Sequence, residues 1–543
     1  MSLKKDFNDL KRFNQVVSTL LDYEFEFFLY KIKILSKSKK ETMPGTEPEV
    51  IRKILEDLGG TFVKLGQLLS IRPDLIPIRY SQEFSKLQDS VKPFLLTDAK
   101  KLIEKESDKK ISAIFKNFPK STIASASIGQ VYKANLKNGK SVAIKLQRPK
   151  IRKIMEEDLD ILEFFAHQMK KHLGMKVIDP EMIVKELRDY TEDELDYRIE
   201  VRRLEKFHSL FKGSEIRTPF VYKELCSEKL IVMEYLEGRK LQGIIKSNAK
   251  SDERKRISDI LINAYFKQIF VEGIFHADPH PGNIIVLDKK YEEKIGLIDF
   301  GIVGEISQEM KDNLLKMFLA MLNKDVGSMI DAMTTLHLVD TNNNEMRRDM
   351  SDLLAPYYNA SLKEVNFPKL FIQSLKVARK HNLSVPKDYV LLGKALMTIE
   401  SVCANLYPEF NLVESAKPFV THLMIEKYSP ERLARAGASK ALTAVKYFHM
   451  IPKMVSQYFE SEARQDEYLK KISENINTVD KRIDEISERF FLLAGGVVMV
   501  AVSFYFQTQP PYSGGFSIPS LISLLLGIAF FVSMFGLKKK LRN

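Results

Sequence analysis

Two aspartates and an asparagine lie close together in the second half of the chain. Asp278 and Asn283 lie within FHADPHPGNIIV, and Asp299 follows in IGLIDFG. Carboxylate and carboxamide oxygens at this spacing suit a phosphoryl-transfer site, in which Asn283 and Asp299 hold Mg²⁺ and Asp278 receives the proton of the attacking hydroxyl. The alternative is a turn in which Asp, His and Pro-Gly only cap a helix.

The order of these residues matches the catalytic motifs of protein kinases. In those enzymes H-R-D is followed after four residues by Asn, and later by D-F-G. Here His276, Asp278 and Asn283 occupy the first motif, and Asp299-Phe300-Gly301 occupies the second. Each short stretch recurs by chance, but the whole set in this order predicts a kinase-type nucleotide enzyme.

A kinase site also needs a lysine on a strand that contacts the α- and β-phosphates, and a glutamate that orients it. Lys145 ends the run Val142-Ala143-Ile144-Lys145, which matches the V-A-I-K strand signature. Asn138-Gly139 before it predicts a hairpin. Glu200, in the helical stretch EDELDYRIEVRRLEKF, is the candidate partner of Lys145. The alternative for Glu200 is an exposed glutamate in a surface salt bridge.

The nucleotide would lie between a loop and a hinge. The loop carries alanine and serine where protein kinases carry glycines, and it keeps one glycine, so loop and nucleotide must meet in a different geometry and the preference for ATP or ADP can differ. KLIVMEYLEG resembles the strand and hinge that hold adenine through backbone hydrogen bonds. The candidate nucleotide-binding residues are Ala124, Ser125, Ala126, Ser127, Ile128, Gly129, Val131, Ala143, Lys145, Met233, Glu234 and Leu236.

Departures from the protein-kinase pattern argue against a protein substrate. Ala277 replaces the arginine of H-R-D, and no A-P-E triplet follows D-F-G. Protein kinases use the segment between D-F-G and A-P-E to dock the substrate peptide. A true protein kinase is therefore disfavoured.

With these motifs in place, the sequence resembles the UbiB family of atypical kinases, also called aarF-domain-containing kinases. Lys64-Leu65-Gly66-Gln67 matches the K-x-G-Q motif of that family, and Glu194-Leu195-Asp196 matches its E-x-D motif. Residues 124–127 match its alanine-rich loop, and HADPHPGN with D-F-G matches its catalytic loop and metal site.

This resemblance implies an α+β, atypical protein-kinase-like, two-lobed fold with a helical N-terminal extension across the active site. It implies ATP or ADP with Mg as cofactors, ATPase behaviour more readily than protein phosphorylation, and a role in the biosynthesis or handling of isoprenoid quinones such as ubiquinone. It also implies regulatory roles for Lys64, Gln67, Glu194 and Asp196.

The K-x-G-Q motif also has a physical interpretation. Lys64 and Gln67 are three residues apart and share a helix face. A lysine in a cleft beside Glu194, Asp196, Asp278 and Asp299 would neutralise these carboxylates when nucleotide and Mg²⁺ are absent. The alternative is an ordinary amphipathic helix with an exposed lysine.

The C-terminal segment is apolar enough to enter a bilayer. Phe490 to Phe506 and Ser517 to Leu537 are uncharged runs, separated by QTQPPYSGG and flanked by basic residues. Such a pattern predicts a transmembrane helical hairpin with both ends in the cytoplasm. The kinase domain would then be cytoplasmic, at a bacterial inner membrane. The alternative is a buried helical pair in a soluble domain.

Composition bounds the remaining possibilities. The 543-residue chain has a net charge of +13 and two cysteines without metal-type spacing. No nucleic-acid-binding signature accompanies the charge, so anionic lipid is the expected partner. The predicted divisions are an N-terminal helical extension (1–48), a K-x-G-Q segment (49–118), an N-lobe with a helical insert (119–238), a C-lobe (239–427), an amphipathic helical stalk that can self-associate into a homo-oligomer (428–489) and the hairpin (490–537).

Two hypotheses about function follow. The first is a membrane-anchored atypical kinase or ATPase that acts on, or helps to extract, a lipid such as an isoprenoid quinone precursor. The second is a nucleotide-switched scaffold that organises membrane-bound biosynthetic enzymes and transfers no phosphoryl group. The intact Asp278 favours the first, and a helix across the cleft favours the second.

Overall fold

The computed structural model describes residues 10–37, 47–72, 75–87, 91–173, 179–247, 249–288, 291, 294–323, 325–336, 338–340, 343–357, 364–381, 383, 385–427 and 525. The chain divides into two units, Met1–Val420 and Thr421–Asn543, and nearly all of the described residues belong to the first. The predicted stalk and transmembrane hairpin lie outside the described residues, apart from Leu525.

Helices precede the first sheet. Their bounds are α1 Leu10–Asp22, α2 Glu26–Lys31, α3 Pro48–Leu58, α4 Gly60–Ser70, α5 Ile78–Phe84, α6 Leu96–Ser107 and α7 Ile111–Ile114. α4 contains the K-x-G-Q motif, and its glycine has a packing reason. A Cβ on Gly66 would lie 2.2 Å from Leu87 Cδ1 and 2.8 Å from Leu55 Cδ1, so a larger residue here would require these leucine side chains to shift.

An antiparallel sheet of five strands forms the scaffold for Lys145. Its strands are β1 Phe115–Asn117, β2 Ala124–Ser125, β3 Gly129–Leu136, β4 Ser141–Gln147 and β6 Leu230–Glu234, with β5 Ile216–Arg217 belonging to another sheet. The order is β1-β3-β4-β6, and β2 pairs with β3. The β-hairpin predicted at Asn138-Gly139 is present between β3 and β4, and Gly139 has φ 83° there.

Long helices connect β4 to the rest of the sheet: α8 Ile151–Leu173, α9 Pro180–Glu194 and α10 Tyr197–Leu210. The N-terminal helices bury their apolar faces against α8 and α9, in a cluster that includes Leu29, Phe62, Leu159 and Leu187. An ion pair crosses this interface, because Arg12 Nε donates to Asp158 Oδ1 at 2.7 Å.

Short strands frame the two catalytic segments. Strands β7 Gly238–Lys240, β9 Ile284–Leu287 and β10 Ile295–Leu297 join β5 in a four-stranded sheet of order β5-β10-β9-β7, and β8 Ile274–His276 pairs with β11 Val303–Glu305. β9 and β10 form an antiparallel pair, with Leu297 opposite Ile284. This pairing brings the end of the segment that contains Asn283 next to the start of the segment that contains Asp299.

The remaining elements are helical and form the larger part of the fold beyond the hinge. They are α11 Leu241–Lys246, α12 Ser251–Phe266, α13 Gln308–Leu322, α14 Val326–Thr335, α15 Asn344–Leu354, α16 Phe367–Lys380, α17 Lys387–Leu406 and α18 Leu412–Lys427. α12 continues into a π-helical turn, Lys267–Glu272, just before β8. The α+β class, with small sheets within a mostly helical chain, agrees with the sequence prediction.

Among the described residues, one helix has the length and apolar composition to cross a bilayer. It is α17, and 56% of its apolar window is buried inside the protein. α17 packs against α12, α16 and β11. These contacts account for its apolar character as that of a core helix.

Candidate active site

Lys145 and Glu200 form an ion pair between the five-stranded sheet and α10. Lys145 Nζ donates to Glu200 Oε1 at 2.8 Å and to Oε2 at 2.7 Å. The Glu200 side chain is 7% exposed, so the alternative of an exposed surface glutamate does not describe it. The bidentate geometry fixes the direction of the lysine along the strand.

Asp299 also lies close to Lys145. Its Oδ2 lies 3.8 Å from Lys145 Nζ, and its Oδ1 accepts a hydrogen bond of 2.8 Å from the backbone N–H of Gly301. Burial disfavours the charge on Lys145, but the carboxylates of Asp299 and Glu200 outweigh it and raise the pKa of the lysine. Partial loss of water works against the charge on Asp299, whose side chain is still 43% exposed, yet Lys145 and the Gly301 N–H keep the pKa of Asp299 below its usual range. Lysine and aspartate are therefore both charged near neutral pH.

The D-F-G segment is held by α10, the same helix that carries Glu200. Phe300 is fully buried and packs against Phe207 of α10, with ring centroids 4.6 Å apart. The backbone carbonyl of Gly301 accepts a hydrogen bond of 2.7 Å from Arg203 Nη1. Because the helix that orients Lys145 also holds D-F-G, any movement of α10 displaces both.

The π-helical turn contacts the start of the catalytic loop. Gln268 is fully buried, and its side-chain oxygen accepts a hydrogen bond of 2.9 Å from the backbone N–H of His276. The His276 ring lies 5.2 Å from the Phe300 ring. π-helical turns are frequent at functional sites, and this one supports the loop at His276, whose ring contacts Phe300 of D-F-G.

Asp278 and Asn283 are tied together within that loop. Asn283 Nδ2 donates to the backbone carbonyl of Asp278 at 3.2 Å, and Ile298 N donates to the Asn283 carbonyl at 3.1 Å. The first contact uses the amide nitrogen of Asn283, so its amide oxygen remains available as a ligand. Asn283 is therefore joined both to Asp278 and to the residue that precedes Asp299.

This donor set fits Mg²⁺ held jointly with phosphates. The Asp299 side chain is 43% exposed despite its contacts, and an asparagine oxygen and a carboxylate are hard oxygen ligands. Among the residues that the structure describes, no three His, Cys, Asp or Glu side chains are grouped as a complete metal site. Two protein ligands with the remaining positions filled by phosphate and water are the usual arrangement for Mg²⁺.

The alanine-rich loop forms a tight hairpin. β2 pairs with β3, with Ala124 opposite Val131, and Ala126 N donates to the Gly129 carbonyl at 2.8 Å. Arg148 clamps the loop, because its Nε donates to the Ala126 carbonyl and its Nη2 to Ser125 Oγ, both at 2.8 Å. The loop is therefore held by hydrogen bonds at the positions where glycines would make it mobile.

The predicted adenine-binding face lies next to this loop in the sheet. Val131 is opposite Lys145, and Ala143 is opposite Met233. Beyond β6, Tyr235 N donates to the Ser141 carbonyl at 3.0 Å, and Leu236 is buried. The predicted loop, lysine strand and hinge therefore occupy adjoining strands of one sheet.

Lys64 lies in the interior and not on an exposed face. It is 3% exposed, forms an ion pair with Glu194 of α9, and its Nζ lies 5.8 Å from the centre of the Tyr190 ring. Burial and the nearby Glu194 carboxylate raise the pKa of Tyr190 well above its usual value. The alternative of an exposed lysine on an ordinary amphipathic helix does not describe this residue.

The other members of the expected regulatory group are arranged differently. Gln67 is half-buried, one turn along α4 from Lys64. Asp196 caps α10, where its Oδ1 accepts hydrogen bonds from the backbone N–H of Arg198 at 3.0 Å and from Arg198 Nε at 2.8 Å. We expected Asp196 beside Lys64, but its contacts serve α10, so Glu194 is the residue of E-x-D that faces the K-x-G-Q helix.

Several residues of the site were not anticipated from the sequence. Arg203 follows Glu200 by one helical turn and could have been found from that spacing. Lys394 of α17 lies with its Nζ 3.8 Å from Asp278 Oδ1. Its sequence signal is a single charge inside the apolar stretch VLLGKALMTI. Gln268 carries no signal of this kind.

Comparison with known proteins finds two matching domain families and several similar chains. The family described as ABC1 atypical kinase-like domain matches residues 86–333, and the UbiB helical domain matches residues 350–411. A relative from Clostridium pasteurianum, named "Uncharacterized protein in hydrogenase 1 5'region", is 35% identical over 416 residues, which cover 76% of each chain. A solved structure of Rv3197 with erythromycin, from Mycobacterium tuberculosis, covers 67% of this chain and 93% of its own, at 23% identity and a TM-score of 0.46.

A further relative determines the assignment. "Probable protein kinase UbiB" from Shewanella woodyi is 30% identical over 512 residues, which cover 90% of this chain and 92% of the relative. Similarity at this level over nearly the full length of both chains, together with the two domain matches, supports the family that the motifs indicated. The chain is an atypical kinase and belongs to the UbiB family.

Proposed function

We propose that the chain binds ATP with Mg²⁺ in this site and turns it over as an atypical kinase or ATPase that supports isoprenoid quinone biosynthesis. One observation carries the proposal: Lys145, from the sheet, lies within 2.8 Å of Glu200 and 3.8 Å from Asp299, which come from two distant segments. A lysine so oriented, beside a carboxylate that remains accessible, suits a Mg²⁺-bound triphosphate.

Each residue has a role in this proposal. Lys145, oriented by Glu200, binds the α- and β-phosphates, and the backbone at Glu234 to Leu236 receives the adenine. Asn283 and Asp299 hold Mg²⁺, which neutralises charge on the phosphates when it is bound. Asp278 orients the acceptor, either a hydroxyl or water, and receives its proton. The clamped loop of residues 124–129 closes over the phosphates and biases the choice between ATP and ADP.

The quinone and membrane parts of the proposal rest on family membership and on the apolar C-terminal segment. Two uncharged runs, 490–506 and 517–537, would anchor the chain in the inner membrane with the kinase domain in the cytoplasm. An anchor of this kind would hold the site near the bilayer and shorten the path to an apolar quinone precursor. Membrane-bound biosynthetic enzymes and further copies of this chain, through residues 428–489, are the proposed partners.

The test is ATP turnover by the purified full chain in liposomes, with and without quinone-like phenols. We expect Asp278→Asn and Asp299→Asn each to lower turnover by about 100-fold or more, because the first removes the group that receives the acceptor proton and the second removes a ligand of Mg²⁺. Asp331→Asn, at an exposed surface carboxylate, is the matched control and should leave turnover unchanged. If Asp278→Asn and Asp299→Asn both turn over ATP as fast as the wild type, the proposed site is ruled out.

A second candidate function is a nucleotide-switched scaffold. The buried ion pair between Lys64 and Glu194 favours it, because it fastens the K-x-G-Q helix to the segment that leads into α10. A helix fixed in this place would report nucleotide binding without any transfer. Nucleotide-dependent partner binding that survives in both Asp278→Asn and Asp299→Asn would favour the scaffold over the enzyme.

A further inference from the structure

Among the described residues, a lysine close to the catalytic-loop aspartate comes from a helix outside the kinase-like domain match. Lys394 Nζ lies 3.8 Å from Asp278 Oδ1, with side-chain exposures of 24% and 38%. Lys394 belongs to α17, within the region that matches the UbiB helical domain (350–411), whereas the kinase-like domain match ends at residue 333. The helical domain therefore supplies a charged side chain to the site.

The position of Lys394 is set by tight packing on either side of it. A Cβ on the preceding residue, Gly393, would lie 1.8 Å from Phe371 Cζ of α16, so α17 and α16 are in close contact at this level. Ala395 and Ile399 on the same helix are fully buried. Since the backbone on both sides is immobilised, the lysine projects from a rigid support, which lowers the entropic cost of binding a ligand.

The catalytic loop itself contains no cation. HADPHPGN holds neither lysine nor arginine, and Ala277 stands where protein kinases have arginine. The His280 ring accepts a hydrogen bond of 3.1 Å from the backbone N–H of Gly282 through Nδ1, so this ring is used to shape the loop. A positive charge at Asp278 must therefore come from another element.

The two lysines of the site lie beside different carboxylates. Lys145 is 3.8 Å from Asp299 and Lys394 is 3.8 Å from Asp278. In a phosphoryl-transfer site the first lysine serves the α- and β-phosphates, whereas the aspartate of the catalytic loop meets the acceptor at the γ-phosphate. Lys394 is therefore at the γ-phosphate end. At 3.8 Å its ammonium group is beyond hydrogen-bond distance from Asp278 and keeps donors available for a phosphate.

We propose that Lys394 binds the γ-phosphoryl group of ATP, so that the UbiB helical domain completes the active site. This inference rests on the function proposed above. During transfer the acceptor oxygen forms a bond to the γ-phosphorus. The bond between the γ-phosphorus and the β–γ bridging oxygen breaks, which releases ADP, and the acceptor proton passes to Asp278. Lys394 keeps its proton throughout and stabilises the charge on the γ-phosphoryl oxygens.

The experiment compares nucleotide binding with turnover in the full chain. Dissociation constants for ADP and for a non-hydrolysable ATP analogue, both with Mg²⁺, are measured by calorimetry for the wild type, Lys394→Met and Lys394→Arg. Lys394→Met should weaken binding of the ATP analogue by about 10-fold or more, leave ADP binding within about 2-fold, and lower kcat by about 100-fold. Lys394→Arg keeps the charge and should recover part of the analogue binding.

Lys387→Met is the matched control, since Lys387 is an exposed lysine at the start of the same helix. If Lys394→Met binds the ATP analogue as tightly as the wild type and has the same kcat, the inference is overturned and the proposed function still stands. Failure of the wild type to bind either nucleotide would instead contradict the proposed function. If Lys394→Met does not fold, the same binding measurements are made on Lys394→Arg and Lys394→Gln. A γ-phosphate role predicts that Lys394→Gln loses its preference for the ATP analogue over ADP. If Lys394→Gln keeps that preference, the inference is overturned.

Discussion

Phe300 of D-F-G packs against Phe207 of α10, with 4.6 Å between the ring centroids. α10 also carries Glu200, the partner of Lys145, and Arg203, which binds the Gly301 carbonyl. One helix thus contacts both Lys145 and the D-F-G segment that contains Asp299.

The first prediction concerns the partner of Lys145. Glu200→Gln removes the carboxylate that orients the lysine, and we expect ATP turnover to fall by about 10- to 100-fold, because the lysine loses a bidentate, charge-assisted partner. Steady-state kinetics measure the effect. Glu205→Gln, an exposed glutamate on the same helix that pairs with Lys223, should behave as wild type. Full activity of Glu200→Gln would contradict the assigned role.

The second prediction concerns the K-x-G-Q helix. Lys64→Met leaves Glu194 as a poorly solvated carboxylate without its partner, so the free energy of unfolding should fall by about 2–3 kcal/mol. We also expect altered nucleotide affinity or ATP turnover, because α4 is released from α9. Denaturant titration and turnover assays measure the two effects.

The double variant of this pair sharpens the test. Adding Glu194→Gln removes the stranded charge and should restore most of the lost stability. Lys53→Met, at an exposed lysine on α3, is the control. If Lys64→Met changes neither stability nor nucleotide behaviour, the ion pair has no regulatory role.

The third prediction concerns the attachment of the N-terminal helix. Asp158 is fully buried and pairs with Arg12, which also donates to the Leu58 carbonyl at 2.8 Å. Asp158→Asn should lower the free energy of unfolding by about 2–4 kcal/mol, because a half-buried arginine loses its counter-charge. Asp160→Asn, whose carboxylate is 44% exposed on the same helix, should cost less than about 1 kcal/mol. Equal losses in both variants would argue against a special role for the Arg12 pair.

The fourth prediction concerns the pH dependence of stability. Burial raises the pKa of Glu400 to about 7, and a hydrogen bond with the backbone of Leu412 opposes this only in part. A carboxyl group with a raised folded pKa keeps a proton that the unfolded chain has already lost. Its contribution to stability therefore declines as pH rises from about 4.5 to about 7, and the ionised form is destabilising above that range.

Glu400→Gln removes this titration. We expect the variant to gain about 1–2 kcal/mol over the wild type at pH 8 and little at pH 5, after allowance for the partly exposed side chain. Thermal unfolding at the two pH values provides the comparison. Glu409→Gln, at an exposed carboxylate beyond the end of α17, should show no such difference. A gain that is the same at both pH values would exclude titration of Glu400 as its cause.

Local spacing was sufficient to identify much of the site. Asp278 and Asn283 lie on one short loop, and Lys145 lies on a strand preceded by a two-residue turn, so the distances between motif residues follow from the backbone geometry of a few residues. Glu200 was predicted as the partner of Lys145 from its place in the helical stretch EDELDYRIEVRRLEKF, and the structure confirms that the two side chains form an ion pair. The α+β class was predicted from the resemblance to the UbiB family that these motifs carry.

Partners across long stretches of sequence depended on how the helices pack. Lys64 forms an ion pair with Glu194, and Lys394 lies beside Asp278, more than a hundred residues away in sequence. Asp196, in contrast, binds the nearby Arg198. The motifs predicted both Glu194 and Asp196 near Lys64. In the structure Glu194 ends α9 and pairs with Lys64, whereas Asp196 caps the start of α10. Residue spacing constrains neighbours within a turn or a hairpin, whereas contacts between distant elements arise when buried apolar faces select one arrangement of helices.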